Sequence, residues 1–569
     1  MGKKWIIKDV DPALASALAE SLELSLVVAT ILAGRGISSR EEGLSFLSPS
    51  LSSMPDPLLM KGIQAAVTRL CHARGKGEKI CVYGDYDVDG ITGAALLVSF
   101  LRRTGFDCGY FIPNRFDDGY GLNQDALKRV IDTGVTLILS VDCGITSVVE
   151  AEFCRRHGAD LIITDHHSPK ESLPDACAVV NPLQPGCNYP FKSLAGVGVA
   201  FNLIVALRSR LRADGAFAGG REPDLREWLD LVALGTIADV VPLIGQNRIY
   251  AYYGLRLLGD SARVGVGALK RVAGVNGSVN CGQVGFRLAP RLNAAGRMEC
   301  AVPGVELLLG DDPQRAAAIA EELDAANAER QAIERSMLQE AISMVEAAGN
   351  YPDCRSIVLA SGSWHQGVVG IVASRMVERY HRPTILIALD QDGNGKGSGR
   401  SIPGFHLLQA LKACADNLER FGGHQFAAGI SLKADKLESF SVAFESVSAC
   451  MLSEDQLVPA MTVDALLAPE DVTVGLIDDL KRLEPFGAGN PEPTFMMRGV
   501  KVLDRRVVGD GHLKLRLASG GMTFGAIAFR QAECATDGLI DVAFFPELNV
   551  WNNVTSVQLR IKEFRAAEG

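Results

Sequence analysis

The segment GDYDVDG, residues 84–90, sets aspartates at positions 85, 87 and 89 and closes them with glycine. Carboxylates clustered on one short stretch repel one another, and a bound cation is the cheapest way to neutralise them. Further donors follow: Asp142 in SVDCGIT (140–146), and Asp165, His166 and His167 in TDHH (164–167). Asp239, in LVALGTIADVVPL (231–243), is an acid within an apolar run. From periodicity alone it reads equally well as a ligand and as a surface or capping residue. Oxygen donors with one or two imidazoles suit Mn²⁺ or Mg²⁺ better than a structural zinc site built on thiolates. At least six candidate ligands exceed the need of one ion. Two metals about 4 Å apart, bridged by a carboxylate, serve phosphoryl transfer to water: one makes the water nucleophilic and both stabilise the transferring group. The residues point to a binuclear phosphoesterase.

A calcium loop is the rival reading of the first cluster, since DYDVDG matches the opening six positions of an EF-hand. That loop needs a bidentate glutamate at its twelfth position. Here the twelfth position is Leu96, and an apolar run precedes the loop where an EF-hand has a helix. The EF-hand is excluded.

The donors recur at one kind of place. KICVY (79–83) is a short apolar run before the first cluster, and ITGAALLVSFLRRTG (91–105) after it has helical character. TLILSVDCG (136–144) and DLIITDHHSP (160–169) repeat the apolar run ending in ligands. Strand, loop and helix in alternation predict an α/β fold with a parallel sheet, whose binding groups gather at the carboxyl ends of the strands.

The chain's 569 residues predict about three or four domains at roughly 150 residues each. Its composition, 47% hydrophobic and 22% charged, is that of a globular protein. The N-terminal segment lacks the apolar core of a signal peptide, and the longest uncharged apolar stretch, 195–207, is shorter than the roughly 20 residues a membrane span needs. A cytoplasmic protein with no membrane association is expected. Thirteen cysteines without a CxxC pair argue against a disulfide framework or zinc knuckle. A net charge of −10 argues against non-specific coating of nucleic acid, but not against an enzyme with one basic groove.

Taken together, YGDYDVDGITG (83–93), IPNRFDDGYGL (112–122), SVDCGIT, TDHH, LAGVGVAF (194–201), ADVVPL (238–243) and LAPRLNAAGRM (288–298) resemble the DHH phosphoesterase superfamily. Their order, continued by WHQGVVGIVASR (364–375), GSGRS (397–401) and FGGHQFAAG (421–429), is similar to that of its RecJ branch of single-strand-specific DNA exonucleases. The resemblance implies metal roles for Asp85, Asp87, Asp89, Asp142, His166 and Asp239, with Asp142 as the bridge and Asp85 either a direct ligand or just behind one. It implies that Asp165 orients the histidines and that His167 faces the phosphate, so Asp165, His166 and His167 form the catalytic set. Arg115, Arg297, Ser398 and Arg400 would form a pocket for a terminal 5′ phosphate, with Arg291 able to share or take the part of Arg297, and His424 of the second domain a further phosphate- or DNA-binding residue. Superfamily hydrolases of small phosphates carry histidine where this chain has Tyr83, which disfavours a pyrophosphatase. The accessory motif reads Phe-Gly-Gly-His (421–424) where the superfamily usually has Gly-Gly-Gly-His.

The remaining expectations concern architecture. Residues 1–55 read as a helical lead-in packed on the core, 56–310 as the DHH catalytic domain and 349–455 as a smaller α/β DHHA1 domain. Between the last two, 311–348 carries an uninterrupted apolar stripe from Ile319 to Val345, entered at Asp312-Pro313. It is either a connector between lobes or a dimerising coiled coil, and the resemblance favours the connector. Alternating short runs over 456–569 predict a C-terminal β-barrel of OB type. Lys501, Arg505, Arg506, Lys514 and Arg516 there form either a basic strip along single-stranded DNA, with Phe524, Phe529 or Trp551 beside it, or a merely solvated strand face.

The resemblance implies a 5′-to-3′ exonuclease that degrades single-stranded DNA to mononucleotides with two divalent ions, Mn²⁺ or Mg²⁺. It implies a monomer working in DNA repair and recombination, with a single-strand-binding protein and a RecQ-type helicase as partners. A DHH phosphodiesterase of short oligoribonucleotides or cyclic dinucleotides is the alternative, and it needs neither the long helix nor the barrel. A catalytically silent DNA-binding subunit is a rival of another class, and one would expect it to have lost some of the metal positions filled here.

Overall fold

The computed structural model describes residues 3–115, 117–119, 121–532, 538–551 and 554–567. They divide into two compact units, one of Ile6–Asp324 with Thr462–Gly569 and one built around Ala325–Met461.

The first unit contains a five-stranded sheet. Its strands are β1 (Lys79–Gly84), β2 (Asp107–Phe111), β3 (Leu137–Val141), β4 (Asp160–Thr164) and β5 (Ala178–Val180), in the spatial order β2-β1-β3-β4-β5. Every pairing is parallel. Residues in the middle of such a sheet are covered on both faces, which is why β3 reads as the continuous apolar run LILSV and is buried throughout. Connections leave β1 toward opposite sides, so a crevice opens at the carboxyl ends of β1 and β3. Asp85 follows β1, Asp142 follows β3 and Asp165 follows β4.

Helix α1 (Val88–Arg103) begins inside the acidic loop and is almost wholly buried. Asp87 caps it, accepting from the backbone N–H of Asp89 at 2.9 Å and of Gly90 at 3.2 Å. Helices α2 (Gly196–Ala213) and α3 (Leu229–Ala238) pack with it in one large apolar core. The uncharged stretch 195–207 is therefore core helix, and among the described residues no single helix is long and apolar enough to cross a membrane. Helix α4 (Ala289–Met298) follows a π-helical turn, Val284–Leu288.

Helix α5 (Pro313–Ala348) runs 36 residues, about 54 Å at 1.5 Å per residue. Asp312 opens it, accepting from Gln314 N at 2.8 Å. Ile319 and Leu323 enter the core of the first unit, and Met337, Ala341 and Val345 enter a core of the second. Midway, Asn327 and Arg330 are buried and hydrogen-bond each other. The stripe read from sequence is thus consumed within the chain.

The second unit carries the strands β6 (Ile357–Ser361), β7 (Thr384–Leu389), β8 (Asn394–Arg400), β9 (Arg420–Gly423) and β10 (Ala427–Lys433), ordered β9-β10-β8-β7-β6. Helix α6 (Val369–Tyr380) joins β6 to its parallel neighbour β7.

Near the C-terminus, β11 (Phe495–Val508), β12 (His512–Ser519), β13 (Met522–Ala528), β14 (Leu539–Trp551) and β15 (Val554–Ala566) run in the order β11-β12-β13-β15-β14 and close through a β14–β11 pairing. Closure leaves the five-stranded barrel without free edges, as in an OB fold. The lead-in divides: the helices Pro12–Leu22 and Leu26–Ala33 join the barrel, whereas Leu51 and Met54 at its end pack against the catalytic core. Leu18, Leu22, Val28, Ile31 and Leu32 share the barrel's own apolar cluster with Leu480, Leu483 and Phe495. The apolar faces of these helices and the barrel's interior residues thus form one core. Phe524 is buried in that cluster, so it is no stacking surface. The side chain of Trp551 lies outside the described residues.

Candidate metal centre

The three loops at the carboxyl ends of β1, β3 and β4 bring their donors together. His166 Nε2 stands 3.1 Å from Asp142 Oδ1, 3.6 Å from Asp239 Oδ2 and 3.9 Å from Asp89 Oδ2. Three groupings have ligand atoms all within 4.8 Å of one another: Asp85, Asp87 and Asp142; Asp89, His166 and Asp239; Asp142, His166 and His167. Asp142 and His166 each belong to two of them. Asp239, ambiguous in the sequence, is delivered by the C-terminal end of α3.

Four of these groups each hold a buried atom that makes no hydrogen bond: Asp85 Oδ1, Asp142 Oδ1, His166 Nε2 and Asp239 Oδ2. Buried polar atoms are normally satisfied, so four such orphans around one point form a donor set suited to a cation. Burial, then mutual repulsion, raises the pKa of Asp85, Asp142 and Asp239 and takes Asp89 to about 7. Burial, then the neighbouring His167, lowers His166 to about 4, which keeps the ring neutral. Oxygen-rich donors with a neutral imidazole fit divalent cations of the Mg²⁺ or Mn²⁺ type.

The surrounding backbone is committed to this geometry. Asp142 has φ of 64°, and Val240, next to Asp239, has φ of 62° although it is β-branched and 70% exposed. Such conformations cost of order 1–3 kcal/mol each and gather at functional sites. The first turn of α2 faces the cluster, with Gly196 N donating to Asp89 Oδ2 at 2.6 Å and Val197 N to Oδ1 at 2.8 Å. A Cβ on Gly196 would lie 2.7 Å from Asp142 Cβ and 2.9 Å from its Oδ1, so only glycine admits this approach. The sequence motif LAGVGVAF did not by itself reveal this part. Small residues entering a helix were the available signal.

Asp165 organises the layer behind. Its Oδ1 accepts from His166 N at 2.7 Å, His167 N at 3.1 Å and the His167 ring at 2.8 Å, and its Oδ2 accepts from Ile145 N at 2.9 Å. Burial alone would raise its pKa, but these partners outweigh it and hold the carboxyl below its usual value. The same contacts outweigh burial at His167 and raise the imidazole. Asn181, which no sequence motif singled out, holds the His167 carbonyl at 2.9 Å.

The basic residues divide. The Arg115 guanidinium lies 5.3 Å from the Tyr86 ring centroid, and Arg115 and Arg297 both act electrostatically on Tyr86, within the acidic loop. Arg291 instead binds Asp324 at 2.8 Å and the carbonyl of Arg287 at 2.6 Å. In the second unit, Arg400 Nη1 donates to Ser398 Oγ at 2.9 Å. Both flank the first turn of α6, where a Cβ on Gly370 would meet Ser398 Oγ at 2.9 Å and Arg400 at 3.0 Å. Arg400 pairs in register with Ala427, and His424 lies in the turn closed by its N–H to the Ala427 carbonyl at 2.8 Å.

Comparison with known proteins adds a second line of observation. Residues 79–236 match the DHH family, N-terminal domain, residues 355–449 the DHHA1 domain and residues 463–563 the RecJ OB domain. The single-stranded-DNA-specific exonuclease RecJ of Bacillus subtilis is 40% identical over 574 residues, spanning 99% of this chain and 71% of that protein. The chain belongs to the RecJ family. The crystal structure of RecJ from Thermus thermophilus in complex with Mn²⁺ superposes with a TM-score of 0.86 at 34% identity, covering 100% of this chain and 80% of that one. The same RecJ in complex with Mg²⁺ gives 0.80 at 32% identity, with coverages of 100% and 79%. The α/β fold with a C-terminal barrel is thus shared with RecJ proteins over the whole chain.

Proposed function

We propose that this chain hydrolyses single-stranded DNA from its 5′ end to mononucleotides, using two divalent cations of the Mn²⁺ or Mg²⁺ type. The observation that carries the reading is the set of orphaned donor atoms on Asp85, Asp142, His166 and Asp239, in a family whose named members are single-strand-specific exonucleases. Asp85, Asp87, Asp89, Asp142, His166 and Asp239 would hold the metals, with Asp142 common to both. When bound, the ions supply water activation and charge stabilisation at phosphorus.

The chain's own groups do the rest. Asp165 fixes the His167 ring at Nδ1, which leaves Nε2 to hydrogen-bond an oxygen of the scissile phosphate. The paired N–H groups of Gly196 and Val197 hold the Asp89 carboxylate in place. Arg115 and Arg297 are candidates for phosphate contacts beside the acidic loop, and Ser398, Arg400 and His424 for phosphate contacts of the second unit. Arg291, spent on Asp324, is assigned to the scaffold. The catalytic domain is taken as 56–310, the DHHA1 domain as 349–455 and the barrel as 456–569. We further propose a cytoplasmic monomer of DNA repair and recombination, partnered by a single-strand-binding protein and a RecQ-type helicase.

Purified protein with Mn²⁺ is expected to release mononucleotide at once from 5′-labelled single-stranded DNA, and only late from a 3′ label. A duplex control should be spared. Turnover of dinucleotides without cleavage of either strand would move the function to the small-substrate branch.

A further inference from the structure

Phe286 is 84% exposed, more than any other large apolar side chain among the described residues. It sits in the middle of the π-helical turn Val284–Leu288, where the Ala289 N–H reaches back to the Val284 carbonyl. Such turns are rare and concentrate at functional sites. Here the turn is clamped on both sides, because Val284 and Leu288 are fully buried in the catalytic core. A capping box between Asn280 and Gln283 holds its entry. Arg291 bonds the Arg287 carbonyl at 2.6 Å, and Arg287 Nη1 donates to the Gly274 carbonyl at 3.2 Å. An aromatic ring exposed on so rigid a mount loses little freedom on binding.

The turn runs straight into α4, whose far end touches the acidic loop. Asn293 Oδ1 accepts from Val88 N at 3.1 Å, and a Cβ on Gly296 would stand 2.6 Å from the Tyr86 carbonyl. Phe286 is seven residues before Asn293, about 10 Å along the helix. Arg287 beside it and Arg271, in the helix Val264–Val272, are exposed cations. A flat apolar ring flanked by positive charge, mounted on the element that abuts the metal centre, has the chemistry of a base platform on a phosphate track.

We infer that Phe286 stacks on one base of the bound single strand, a few nucleotides from the phosphate being cleaved. This rests on the nuclease reading above, and the two are tested separately. Binding of fluorescein-labelled oligo(dT) to the full chain in EDTA is followed by anisotropy. Phe286→Ala and Phe286→Leu should both bind about tenfold more weakly than wild type (about 1.4 kcal/mol), and Phe286→Trp at least as tightly. An abasic residue is then scanned along the oligonucleotide. At one position it should weaken wild type as much as Phe286→Ala does, with no further loss in the variant. Equal binding by all four proteins, or losses that add at every abasic position, would overturn the stacking role and leave a protein-facing surface. Failure of wild type to cleave single-stranded DNA with Mn²⁺ would defeat the nuclease reading while the binding series still decides Phe286.

Discussion

At the scale of single residues, the centre is a set of charges that the fold tolerates poorly by itself. Asp142 shows this most sharply: it is buried, lies beside other carboxylates, carries a raised pKa and adopts a positive φ. Asparagine keeps the shape, removes the charge and tolerates that backbone better than most residues. Asp142→Asn should therefore lose at least about 10³-fold in hydrolysis, since Lewis-acid stabilisation is worth several kcal/mol and each 1.36 kcal/mol is tenfold. Its melting temperature in EDTA should be no lower than that of wild type, because one of several repelling carboxylates is gone. Retained activity with the same metal requirement would remove Asp142 from the bridge.

At the scale of elements, the centre is held by ends rather than middles. Strand ends of β1, β3 and β4 deliver carboxylates and imidazoles, the end of α3 delivers Asp239, and the start of α2 grips Asp89. The close approach of α2 makes Gly196 a test of this arrangement. Gly196→Ala places a methyl group against the Asp142 carboxylate, so Mn²⁺ affinity should fall about 10- to 100-fold, the range for disturbing groups behind metal ligands. Calorimetric titration with Mn²⁺ measures this directly, with far-ultraviolet circular dichroism to check the fold. Wild-type affinity in the variant would mean that the α2 terminus does not set the position of Asp142.

At the scale of the whole molecule, the barrel is tied into the first unit rather than appended to it. The N-terminal helices complete its core, and the buried Arg248 of the catalytic unit donates to the Leu483 carbonyl at 3.0 Å and the Glu484 carbonyl at 2.7 Å. Removing the barrel would expose Leu18, Val28 and Ile31 and strand this guanidinium, so truncation confounds DNA binding with unfolding. Surface changes are the cleaner test. In β11 and β12, Arg506 faces Lys514 and Asp504 faces Arg516 across the strand pair, and Phe529 lies 5.1 Å from His512 in edge-on contact. Lys514→Ala with Arg516→Ala should weaken single-strand binding. It should also lower the salt slope of log K by about 1.4, at roughly 0.7 per lost phosphate contact on a single strand. An unchanged slope would mark the strip as solvated surface.

Much of the centre is legible in the amino-acid sequence itself. Asp85, Asp87, Asp89, Asp142, Asp165, His166 and His167 stand at the ends of short apolar runs, and residue type and strand periodicity are local properties that a sequence displays. The parallel sheet and the long helix follow from the same local signals. Only the tertiary structure brought Asp239 to 3.6 Å from His166, because a helix end can face any of several neighbours and packing alone selects one. It likewise turned Arg291 toward Asp324, buried Phe524 and laid the N-terminal helices on a barrel formed by the far end of the chain. These outcomes depend on which surfaces meet across long stretches of chain. Periodicity says that a face is apolar, and the folded molecule decides what covers it.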